Sequence, residues 1–123
     1  MPVATLKMLT LDSSDARRDA HFWSEVLEWE VAHEQDEYAM LRGPGDMALG
    51  FGTVPDHEAP AWPNPRGTKQ FHLDLAVDDL DEGVAACVEL GATFPDEQPG
   101  EPWRVLLDPS GHPFCLTLSA NWG

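Results

Sequence analysis

The chain repeats itself. Leu11 and Asp15 recur as Leu75 and Asp79 at an offset of 64. Tyr38, Leu41 and Pro44 recur as Trp103, Leu106 and Pro109 at an offset of 65, and Phe51 then falls on Leu116. The one-residue change of offset lies between a helix pattern and a strand pattern, where insertions are tolerated. Few identities are shared, so spacing carries the repeat. A chain built this way must fold as two like supersecondary units, and each unit leaves one face uncovered until something packs on it.

Each half has the same plan. Residues 5–11 alternate as a strand, and the DSSD run offers helix-start residues, with Ser13 or Ser14 as the N-cap candidate. Ala16, Ala20, Trp23 and Leu27 then recur at helical spacing, so a helix is predicted over 14–28. Three short strands follow, around 29–34, 37–42 and 46–53, with RGPGD as the turn between the last two. The second half predicts a strand over 70–77, a helix near 79–90 ended by Gly91, and strands near 92–95, 102–107 and 113–118. Between the halves runs a segment with four prolines and Trp62 but no periodicity. The predicted fold is α+β: two tandem β-α-β-β-β modules forming a cupped mixed β-sheet around a central cavity. Module one covers 4–54, the linker 55–68 and module two 69–119, within one domain of 1–123.

Charge narrows the partners. Seven basic residues against 22 acidic ones give a net charge of −15, which repels nucleic acid and anionic membrane surfaces. Apolar runs are too short to span a bilayer, and the first residues lack a leader pattern. Cys87 and Cys115 sit in helix and strand patterns and read as reduced, buried thiols, consistent with a cytoplasmic protein.

The stretch HLDLAVDDLDEGVAACVELGA, followed by WRVLLDPSGHPFCL, resembles the second module of a glyoxalase-like protein. FWSEVLEWEV resembles a frequent helix end of the same superfamily, the vicinal oxygen chelate proteins, with bleomycin-resistance proteins and extradiol dioxygenases among its members. The resemblance implies a homodimer, and a divalent metal held by one residue from the first and one from the last strand of each module. Those positions fall here on Met8, Gly50, His72 and Cys115, where the family commonly has His or Glu. Such a set cannot hold a hard ion in octahedral geometry, and His72 with Cys115 alone gives zinc too few ligands. No cofactor is therefore predicted, and metal-dependent chemistry is disfavoured.

His72 reads as a polar group inside an apolar cavity, suited to hydrogen bonding or general-base work, with Asp74, Gln70 or Cys115 as its partner. Alternation places residues 70, 72 and 74 on one face. Each also has a structural reading: His72 satisfied by a neighbour, Cys115 a small buried hydrophobe. Met8, Thr10 and Gly50 from module one, with Gln70, Trp62 and Trp103, complete the expected ligand-binding set. The tryptophans are expected to supply rigid aromatic surface, Trp62 at the pocket mouth. Three readings follow in order: a protein that sequesters a drug-like or metabolite molecule without a metal, cationic molecules included; a metal-independent isomerase or lyase with His72 as base; and a metal-dependent enzyme of the glyoxalase or dioxygenase type.

Overall fold

The computed structural model describes residues 2–122. The chain divides into two compact units, the first ending at His57 and the second beginning at Glu58. Most of the expected linker therefore belongs to the second unit.

In the first unit β1 (Met8–Ser13) leads into α1 (Ala16–Leu27), then β2 (Glu30–Glu34), β3 (Tyr38–Arg42) and β4 (Ala48–Thr53). The strands form one mixed sheet in the order β1-β4-β3-β2, with β1 parallel to β4 and the other pairs antiparallel. The α1 N-cap falls on Asp15, whose side chain accepts from the Arg18 amide, and not on Ser13 or Ser14. Ser13 is buried instead and its hydroxyl donates to Asp19, which is also buried. Ala39, Leu41, Leu49 and Phe51 fill one sheet face together with Ala16, Ala20 and Trp23 of α1. Phe22 meets Trp23 edge-on at 5.1 Å. Gly43 permits the turn before β4, because a Cβ there would lie 2.6 Å from the Trp29 ring.

The second unit repeats this plan with one strand fewer. β5 (Leu73–Val77) precedes α2 (Leu80–Leu90), then β6 (Trp103–Leu107) and β7 (Pro113–Leu118), in the sheet order β5-β7-β6. Asp79 caps α2 as Asp15 caps α1, and Gly91 closes it with φ of 128°. The strand expected at 92–95 shrinks to one bridge, Thr93 with Leu107. Pro95 lacks the amide that a longer ladder would need. The Gln98 side chain takes the place of the missing partner: its oxygen accepts from the Val105 amide and its nitrogen donates to the Val105 carbonyl.

Alternation gives the second sheet two different faces. Leu106, Phe114 and Leu116 are buried on the α2 side, where Gly83 lets the helix approach Val77 and Leu116. Val105 and Cys115 point to the other face, where Trp62 covers them. The Asp108–His112 turn that joins β6 to β7 is held by the Asp108 carboxylate, which accepts from the Ser110 and His112 amides.

Candidate functional site

The part of this second sheet face that Trp62 leaves open carries a cavity of about 420 Å³. Its polar floor is made by His72, Asp74 and Cys115, with Lys69 and Thr117 beside them, and Trp103 and Trp122 give it aromatic walls. Backbone register sets the floor. Asp74 pairs with Cys115 across the parallel β5–β7 ladder, and Thr117 pairs with Ala76 one step further along.

β5 begins at Leu73, so His72 and Gln70 precede the strand expected to contain them. Gln70 takes a left-handed conformation with φ of 56° and contributes its carbonyl, not its side chain: the His72 Nδ1 lies 3.2 Å from it. Since a carbonyl only accepts, Nδ1 carries the proton. The His72 Nε2 then faces Asp74 Oδ1 at 3.4 Å. The His72 side chain is 26% exposed and that of Asp74 45%.

Cys115 is 3% exposed. Burial, reinforced by the charge and hydrogen bond of Asp74, pushes its thiol up to about 11 despite the opposing charge of Lys69. Burial and Asp74 thus favour the thiol over the thiolate near pH 7.

Trp103 lines the cavity. Trp62, expected at a mouth, is only 9% exposed and packs on Val105, Cys115, Trp103 and Leu107. Its ring supports the Lys69 ammonium, 5.0 Å from the centroid, and its indole N–H is buried with no acceptor among the described residues. Met8, Thr10 and Gly50 come together in the first unit: Thr10 pairs with Gly50, and the Tyr38 hydroxyl lies 3.4 Å from the Met8 sulfur. A Cβ on Gly50 would lie 3.0 Å from the Thr10 hydroxyl, so a larger residue would displace its neighbours.

Five cavity residues were missed by sequence reasoning: Lys69, Pro102, Thr117, Asn121 and Trp122. Thr117 was within reach, since it follows Cys115 on the same face of β7. Trp122 was not. It reaches the cavity because a short turn, Ser119–Trp122, folds back after β7 and its indole donates to the Thr117 hydroxyl at 2.7 Å.

The donor sets decide how a metal could be held. In the first unit Met8 and Gly50 offer no nitrogen or oxygen side-chain ligand. In the second unit the ligand atoms of His72, Asp74 and Cys115 all lie within 4.8 Å of one another. One nitrogen, one carboxylate and one sulfur do not fit a hard octahedral ion, which takes oxygen ligands.

The glyoxalase-like domain family matches this chain over residues 8–117. Among solved structures, a glyoxalase/bleomycin resistance protein/dioxygenase family enzyme from Burkholderia phytofirmans PsJN is similar, with 19% identity and a TM-score of 0.69 over 94% of this chain and 98% of its own. A lactoylglutathione lyase from Agrobacterium tumefaciens shares 20% identity with a TM-score of 0.61, covering 100% of this chain and 98% of its own. The trypanothione-dependent glyoxalase I of Leishmania major shares 17% identity with a TM-score of 0.66, covering 97% of this chain and 89% of its own. No curated protein sequence matches. A β-α-β-β-β unit followed by a β-α-β-β unit, with a family match over nearly the whole length, makes this chain a member of the glyoxalase-like domain family.

Proposed function

We propose that this protein captures a small, partly aromatic organic molecule in the cavity of its second unit, without needing a metal to do so. The observation that carries this reading is the pairing of two tryptophan walls, Trp103 and Trp122, with a polar floor of His72 and Asp74 in a space of about 420 Å³. That volume suits a metabolite or drug-sized molecule. Aromatic and apolar burial supplies affinity, at about 25 cal/mol per Å² before ordering costs. His72 and Asp74 select among ligands, because a buried polar group left unpaired costs about 1–3 kcal/mol. Asp74 and the tryptophan faces favour a ligand with a cationic group.

The His72–Asp74 contact supports a second reading, an isomerase or lyase with His72 as base. Capture is preferred because Nδ1 is committed to the Gln70 carbonyl and Nε2 faces Asp74, so a ligand must displace Asp74 before taking a place at Nε2. Homodimer formation belongs to the same proposal and is checked by sedimentation at micromolar protein.

Calorimetric titration of a ligand panel into chelator-treated protein tests the capture reading. Trp122→Ala should weaken every ligand by about tenfold, as loss of an aromatic wall implies. His72→Ala should instead reorder the panel. Parent-like binding by both folded variants would remove the cavity from consideration, and turnover of any panel member that His72→Ala abolishes would promote the second reading.

A further inference from the structure

We infer that the molecule held in the second-unit cavity is a zwitterion of the aromatic amino-acid class, with its carboxylate seated on Lys69 and its cationic group on Asp74. The inference rests on the capture reading and deepens it. That reading asks for an aromatic body and a cationic group; the acidic group and its seat are new.

Two opposite charges share the cavity without pairing. Lys69 and Asp74 both line it. Each is held by something else. The Lys69 ammonium stands over the Trp62 ring, 5.0 Å from the centroid, and meets no carboxylate among the described residues. That ring is a fixed platform, because Trp62 is buried on Val105 and Cys115. Attraction to a ring face uses the charge but no hydrogen-bond acceptor, so the ammonium keeps its N–H donors for a ligand. Asp74 is engaged by His72, whose Nε2 lies 3.4 Å from Oδ1, and by the Cys115 thiol.

The cavity tolerates an acid in either state of His72. With His72 neutral, the charges of Lys69 and Asp74 cancel. With His72 protonated, the imidazolium pairs with Asp74 and one positive charge is left over. Neither state repels a carboxylate, although the chain as a whole carries −15. A ligand that is only a cation covers the Lys69 donors without satisfying them, and one that is only an acid does the same to Asp74. A zwitterion answers both with charge-assisted hydrogen bonds.

The other polar groups fit this division. The Thr117 hydroxyl is already occupied: it donates to the Leu75 carbonyl and accepts from the Trp122 indole. The Asn121 side-chain amide has no hydrogen bond among the described residues and adds a neutral donor to the cavity. Trp103 and Trp122 flank the aromatic body, and about 420 Å³ admits an indole with both charged groups.

The test titrates three matched probes into the whole chain by calorimetry: tryptamine, indole-3-propionate and tryptophan. They share one ring and differ in charge. The parent should bind tryptophan most tightly. Lys69→Met keeps most of the apolar stem and removes the charge; it should weaken tryptophan and indole-3-propionate by about tenfold and leave tryptamine within about twofold. Asp74→Asn should weaken tryptophan and tryptamine and spare indole-3-propionate. Arg17→Gln removes an equal charge on α1, in the first unit, and should change none of the three. Circular dichroism confirms that each variant is folded. If folded Lys69→Met binds the two acids like the parent, or loses tryptamine equally, Lys69 is not a carboxylate seat and the inference falls. If the parent binds tryptamine as tightly as tryptophan, the zwitterion assignment falls while capture stands. If the parent binds none of the three, the assignment also falls, and capture is decided by the wider ligand panel.

Discussion

Trp62 offers the sharpest test of how the second unit is built. It is buried on Val105, Cys115, Trp103 and Leu107, and its indole N–H meets no acceptor among the described residues. Two opposing effects therefore sit in one side chain. A buried tryptophan removes roughly 150–250 Å² from water, worth about 4–6 kcal/mol at about 25 cal/mol per Å². Truncation of such residues to alanine costs about 3–5 kcal/mol. Against this, an unsatisfied buried N–H costs about 1–3 kcal/mol. Trp62→Ala loses the packing and also relieves the N–H, so a net loss of about 2–3 kcal/mol is expected. Trp62→Phe keeps most of the aromatic surface and removes the N–H, so its cost should stay within about 1 kcal/mol. Urea unfolding followed by far-ultraviolet circular dichroism measures both. If Trp62→Phe costs as much as Trp62→Ala, the indole N–H is satisfied and the proposed balance is wrong. If neither variant loses stability, Trp62 does not hold the linker segment on the sheet.

Cys115 should resist alkylation near pH 7, with a rate that rises through about pH 11, above the ordinary thiol value of 9.0, because burial and Asp74 oppose the thiolate. The fold thus favours the neutral thiol: this contribution to stability is full below about pH 9 and is lost as pH rises through about 11. Asp74→Asn should move the alkylation midpoint down, and an unchanged midpoint would remove Asp74 as a cause. In the first unit, Ser13→Ala should cost about 1–3 kcal/mol, since it strips the buried Asp19 carboxylate of a hydrogen bond. A loss below about 0.5 kcal/mol in urea unfolding would show that Asp19 is held adequately by its other contacts.

What the sequence determined by itself was local and periodic. Both helices follow from apolar residues at helical spacing, and the Asp108–His112 turn follows from its own short-range chemistry. Capping was legible only in part: Asp15 and Asp79 matched in the repeat, but the cap in the first unit went to Asp15 because Ser13 was drawn to the buried Asp19 carboxylate. The second strand of module two, expected at 92–95, was misread, since a single proline and the competing Gln98 side chain outweighed a weak strand pattern. The candidate site depended on tertiary structure to a greater degree. His72 and Asp74 were visible together because alternation puts them on one face. Whether Cys115 stood beside them was decided by the register of β5 against β7, strands separated in sequence by a helix and another strand. The roles of the tryptophans were also beyond the sequence, because Trp62 and Trp122 both lie in aperiodic segments. The linker folds Trp62 into the core by burying its ring on a sheet face that the chain's own periodicity leaves open, whereas the C-terminal turn brings the exposed Trp122 to the cavity through its hydrogen bond to Thr117.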